Sequence, residues 1–122
     1  MHSLFPTPKR VMIKVSGEVL KSSTDQVYEY DSIRVIAKKL IELNNSGIQV
    51  AVVVGGGNIR RHRDNMDSGM PRYVSDQIGI CATIMNGTVL VETINALGGQ
   101  AVCLSDGAVV APHLSKLYTA RQ

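Results

Sequence analysis

The run Gly55-Gly56-Gly57-Asn58, set directly behind the apolar segment IQVAVVV (48–54), constrains the fold of this chain more than any other feature. A nearly continuous apolar run of that length is the pattern of a strand buried on both faces. Upstream, Arg10 to Ser16 (RVMIKVS) is a second β-branched-rich run, closed by Gly17. Between the two, Ile33, Ile36, Ala37, Leu40 and Ile41 recur at helical spacing, with Asp31 and Ser32 offering an N-cap and Gly47 a stop. Strand, helix, strand predicts a βαβ unit with parallel strands. The glycine run then falls at the carboxyl end of the second strand, the edge at which open parallel sheets bind ligands.

The rest of the chain continues the alternation. Residues 17–30 read as a long polar loop and residues 59–72 as a charged one. Tyr73 to Leu97 is a second helical stretch, with Ile78, Cys81, Ala82, Met85, Val89 and Ile94 expected along one face and Gly98-Gly99 at its end. Gln100 to Ser105 is expected as a third strand, and Pro112 to Gln122 starts like a helix. The predicted architecture is α/β: a mainly parallel sheet with helices on both faces, three layers in the order αβα. Residues 1–8, with two prolines, read as a tail, and 9–122 as one domain.

At 122 residues, 44% hydrophobic and 19% charged, the chain can bury a core without disulfides or a metal. Cys81 and Cys103 lack CxxC spacing and lie among apolar residues, so both are expected as buried, reduced thiols. The N-terminus does not resemble a signal peptide, the apolar stretches read as too short to span a bilayer, and the cytoplasm is the default location. The net charge of +3 is concentrated in Arg60-Arg61-His62-Arg63. No recognition helix or zinc finger accompanies that patch. One Phe, four Tyr and no Trp make a poor base-stacking platform, which argues against nucleic acid.

Four features carry chemistry. Three glycines after a strand remove every Cβ, so that backbone N–H groups can close on an anion; the plainer reading is a strand-to-helix turn. The run is not a dinucleotide fingerprint, because Arg60 stands where GxGxxG needs glycine, and there is no Walker sequence. Lys14, inside an apolar strand, either points into water at an edge or meets an anion at the rim that also holds the glycines, with Ser16 and Gly17 adding a hydroxyl and a backbone donor. Arg60, Arg61 and Arg63 suit phosphate oxygens, or are solvated. Asp76, early in the second helix, is either a capping or dipole-compensating residue or an acceptor for ribose hydroxyls.

Taken together, KRVMIKVSGE, GIQVAVVVGGGNIRR and MPRYVSDQIGICATIMNGTVL resemble, in order and spacing, the N-terminal half of the bacterial-type UMP kinases of the amino-acid kinase superfamily. The resemblance covers residues 9–122 and implies an amino-acid kinase-like fold that is apparently truncated, with 9–122 as its UMP-binding half. It implies Lys14 as catalytic cation, and Lys14, Ser16, Gly17, Gly57 and Arg61 at ATP. Gly56 and Asp76 are implied at UMP, and Mg²⁺ accompanies the ATP. It also implies phosphoryl transfer from ATP to UMP in pyrimidine nucleotide biosynthesis, a homohexamer, and GTP and UTP as effectors, with the loop from Lys21 to Val27 falling where family members respond to GTP. The alternative is a truncated, noncatalytic nucleotide-binding fragment. Arg60, His62 and the charged stretch 64–68 depart from the family pattern.

Overall fold

The computed structural model describes residues 9–21, 26–59, 69–105 and 116–117. Strand β1 (Arg10–Val15) lies parallel to β2 (Gln49–Val54), in a register running from Arg10 opposite Gln49 to Val15 opposite Val54. Helix α1 (Tyr30–Asn45) is the crossover between them. The expected βαβ unit is therefore present. Gly47 ends the α1 turn at φ +96°, a conformation that side chains other than glycine rarely tolerate, and Asn44 Nδ2 ties the turn to the Ile48 carbonyl at 2.9 Å.

α1 begins earlier than Asp31 and Ser32 suggested. Its N-cap is Glu29, which makes no side-chain capping bond, and Asp31 instead pairs with Arg34 at 2.8 Å. The cause is non-local: the Glu29 N–H donates to the Leu20 carbonyl at 2.9 Å, which closes the preceding loop. That loop also contains a 3-10 turn, Gly17–Leu20.

Val15, Leu20, Tyr28, Ile33, Ala37, Leu40, Leu90 and Ile94 form the core, with Ile13, Val50, Val52 and Val54 packed against it. Leu20 and Ile33 are fully buried; burial of such side chains contributes roughly 1.5–3 kcal/mol each. Both helices join this one cluster. The other face of the strand pair, carrying Met12 (74% exposed), Lys14, Ala51 and Val53 (47%), has no helix on it among the described residues. The expectation that β2 is buried on both faces therefore does not hold here: its burial alternates residue by residue.

Helix α2 (Arg72–Ala96) matches the predicted span to within a residue at each end. Its inner face matches in part, at Ala82, Val89 and Ile94. Ser75, Ala82, Asn86, Leu90 and Ile94 are buried, whereas Cys81 and Met85 are exposed. Cys81 is therefore a free, exposed thiol, contrary to expectation, because it sits about 100° around the helix from Ala82. Cys103 is half-buried; burial pushes its thiol pKa up, against a hydrogen bond with Thr88 that lowers it. By length and composition alone α2 is also apolar enough to cross a bilayer, which corrects the sequence reading. Its Asn86–Leu90–Ile94 stripe, however, is engaged by polar partners and by the core.

The third strand is shorter than Gln100–Ser105: β3 covers Leu104–Ser105. Asn95 of α2 has taken the backbone before it, accepting from the Ala101 N–H at 2.8 Å and donating to its carbonyl at 3.2 Å. β3 pairs in parallel with β4 (Lys116–Leu117), so the expected C-terminal helix is replaced at those two positions by strand. An open, largely apolar cavity of about 980 Å³ is lined by β2, α2, the end of α1 and residues 98–105. None of Lys14, Gly55, Gly56, Gly57 or Asp76 lines it.

Candidate functional site

Parallel strands in this register bring two turns together. Val15 and Val54 end their strands side by side, and the Gly55 N–H continues the ladder by donating to the Val15 carbonyl at 3.0 Å. Ser16-Gly17 leaves β1 at the rim from which Gly55–Asn58 leaves β2. An ideal Cβ on Gly17 would lie 2.6 Å from Asn58 Oδ1, 2.8 Å from the Gly57 nitrogen and 2.9 Å from the Gly55 oxygen. The two turns are thus in contact, and glycine at 17 is a requirement of their approach.

The glycine run has a physical basis other than handedness. Among the described glycines only Gly47, Gly69 and Gly98 have positive φ. Gly56 is instead pressed against α2, where a Cβ would meet Ala82 Cβ at 3.0 Å, the Gly79 oxygen at 3.2 Å and the Thr83 nitrogen at 3.3 Å. Gly55 does not belong to an anion cradle, since its N–H is committed to Val15. The Ile59 N–H closes a turn onto the Gly56 carbonyl at 3.0 Å, and the N–H groups of Gly56, Gly57 and Asn58 remain as candidate anion donors.

Lys14 lies one residue before the end of β1, in register with Val53, and is exposed. Its backbone is therefore at the rim of the glycine loop, on the sheet face without a helix. Ser16 caps the 3-10 turn by accepting from the Glu18 N–H at 3.3 Å, a bond that leaves its own O–H free to donate. Asp76 lies one turn along α2 from Arg72, with which it pairs at 3.4 Å. It is not a cap, since the N-cap position is Pro71. Asp76, Gly79 and Thr83 follow each other at helical spacing, so Asp76 stands one turn from the point where Gly56 meets the helix. Arg61, with Arg60, His62 and Arg63, lies outside the described residues.

The sequence reading missed a polar knot beneath these turns. Asn86, with no exposed surface, donates from Nδ2 to the Gly55 carbonyl at 2.7 Å and to Asn58 Oδ1 at 2.6 Å. Its Oδ1 accepts from the Tyr28 hydroxyl at 2.7 Å and from Asn58 Nδ2 at 3.4 Å. The signal was available: a lone Asn in the apolar stretch ATIMNGTVL must find partners if it is buried.

Burial raises the Tyr28 phenol pKa above its ordinary value of 10.0, and the neighbouring Tyr30 raises it further. The folded form holds this proton more tightly than the unfolded chain does. The resulting stability is complete below about pH 10 and falls as pH rises from there towards the raised value. Urea unfolding between about pH 8 and 11 is expected to show this decline, and Tyr28→Phe to flatten it. Equal slopes in both proteins would remove Tyr28 as its source.

Comparison with known proteins agrees with this geometry. The amino acid kinase family model matches residues 9–116. The uridylate kinase of Mesoplasma florum is 42% identical over 92 residues, which is 75% of this chain and 38% of that protein. That of Rickettsia bellii is 44% identical over 89 residues, covering 73% and 37%. The crystal structure of UMP kinase from Ureaplasma parvum superposes with a TM-score of 0.83 at 29% identity, covering 95% of this chain and 48% of the other. The chain thus spans well under half the length of the curated relatives it matches. With the parallel βαβ unit, the touching turns and this agreement, the chain belongs to the amino acid kinase family, and its relatives there are uridylate kinases.

Proposed function

We propose that this chain supplies the UMP-binding and phosphate-facing half of a UMP kinase, which transfers a phosphoryl group from ATP to UMP and yields ADP and UDP. The observation that carries the reading is the contact of Gly17 with Gly57 and Asn58 at the carboxyl rim of β1 and β2. It brings a β1 turn that follows a lysine against a side-chain-free loop.

A non-bridging oxygen of the UMP phosphate forms a bond to the γ-phosphorus of ATP. The bond to the β,γ-bridging oxygen breaks, and ADP leaves with that electron pair. The attacking oxygen is already largely ionised at neutral pH, the second phosphate pKa being about 6, so no general base is needed. The obstacle is repulsion between two anions, and catalysis consists of alignment and charge neutralisation. Lys14 serves as the cation, Ser16, Gly17 and Gly57 hold ATP phosphates, and Arg61 adds a guanidinium. Gly56 and Asp76 hold UMP, the carboxylate accepting from ribose hydroxyls.

Magnesium would add charge neutralisation at the ATP phosphates. Among the described residues no group of three His, Cys, Asp or Glu could hold a metal ion. The neutralisation assigned to this chain is that of Lys14, Arg61 and the loop amides. The resemblance supports a protein that assembles with copies of itself, and the cytoplasm remains the proposed location.

A second reading, nucleotide binding without turnover, is favoured by the match covering only 38% of the relative's length. Equilibrium titration with UMP, beside a coupled assay of UDP formation, separates the two. UDP formation that requires both UMP and ATP supports the kinase. UMP binding without UDP moves the chain to the second reading. Absence of both in a folded chain overturns each.

A further inference from the structure

We propose that Asn86, held by Tyr28, is a positioning residue that sets the geometry of both phosphate-facing turns; this rests on the kinase reading for its consequence in turnover. Asn86 is fully buried at the middle of α2, in a stripe otherwise made of Ala82, Leu90 and Ile94. A side-chain amide has two N–H donors and two acceptor lone pairs, and here all four are used. This pattern fixes the amide's orientation. Nδ2 must face the Gly55 carbonyl, and Oδ1 must face the Tyr28 hydroxyl.

The partners lie on two different segments, and both lead to the site. Gly55 opens the β2 turn. Asn58 closes it, and its Oδ1 occupies the space that a Cβ on Gly17 would need. One buried amide therefore holds the β2 turn at both ends, and through Asn58 it sets the approach of the β1 turn. A hydrophobic residue of the same size would fill the volume yet leave a carbonyl, a hydroxyl and an amide unpaired. Both Asn86 and Tyr28 are buried, so each acts through the turns.

The test is Asn86→Asp, nearly isosteric, which puts an oxygen against the Gly55 carbonyl or the Asn58 Oδ1. Tyr28→Phe is the milder companion, removing only the hydroxyl. Hydrogen exchange at the bonded turn amides of Val19, Gly55 and Ile59, which donate to the Ser16, Val15 and Gly56 carbonyls, is read beside that of Ile33 and Leu40 in the core. We expect exchange at the turn amides to rise by roughly tenfold or more in Asn86→Asp, and by less in Tyr28→Phe, with the core amides little changed. In the protein bearing this chain, kcat/KM for UDP formation per folded molecule is expected to fall roughly 10- to 100-fold in Asn86→Asp.

Turn amides that keep wild-type protection, or that lose it only in step with the core, overturn the proposal. So does wild-type kcat/KM in folded Asn86→Asp. If that variant does not fold, Tyr28→Phe decides by the same exchange comparison. If the wild-type protein forms no UDP, the kinase reading fails alone, and exchange at the turns still decides the role of Asn86.

Discussion

Lys14→Ala is expected to lower kcat for UDP formation by roughly 10²–10³-fold in a protein that carries this chain, the usual cost of removing one electrostatic donor from a charged transition state. Lys14 is exposed and lies on the sheet face opposite the core, so its loss should leave folding nearly intact. That separation makes the experiment sharp: thermal unfolding should stay within a few degrees of wild type while turnover collapses. Lys14→Arg should recover only part of the loss, because a planar fork does not occupy the place of a compact ammonium. Near-normal turnover in the alanine variant would remove Lys14 from the mechanism and with it the proposed meeting of two anions at this rim.

Gly17→Ala is expected to damage both stability and binding. The added methyl would sit 2.6 Å from Asn58 Oδ1, 2.8 Å from the Gly57 nitrogen and 2.9 Å from the Gly55 oxygen. Two of those three atoms are backbone, so the glycine loop itself must move. Overpacking of this kind costs about 1–3 kcal/mol, and the displaced atoms include the amide assigned to ATP. Gly79→Ala is the matched control: a Cβ there meets nothing within 4 Å, and in a helix alanine is favoured by up to about 1 kcal/mol. Thermal unfolding of the two variants should shift in opposite directions, and ATP binding should weaken in Gly17→Ala alone. A Gly17→Ala protein as stable as Gly79→Ala, and binding ATP as well, would mean that the two turns do not touch as described.

The parts of this structure that were legible in the sequence are those fixed by local pattern. The apolar run 48–54, the helical spacing from Ile33 to Ile41 and the stop at Gly47 specify the βαβ unit, and α2 was delimited almost to the residue. What escaped was decided by long-range bonds. α2 carries apolar residues on nearly every side, so periodicity could not select its inner face; Asn86 selects it through partners at positions 28, 55 and 58. The start of α1 was moved by the Leu20 carbonyl, and β3 was shortened by the Asn95 side chain. At the site, the meeting of Ser16-Gly17 with the glycine loop follows from strand order. The loss of the Gly55 N–H as an anion donor does not, because it depends on how far the ladder with β1 extends.

α2 runs unbroken for 25 residues in spite of Gly79 and Gly87, a rod of about 37 Å. Asp76 and Asn86 stand on it about 15 Å apart, one beside the approach of Gly56 and the other beneath Gly55 and Asn58. The helix therefore works as a ruler between Asp76, the proposed nucleoside contact, and the anchor of the glycine loop. Inserting or deleting one residue between them would turn one mark about 100° away from the other. Even a four-residue insertion, which restores most of the angle, would lengthen the scale by about 6 Å.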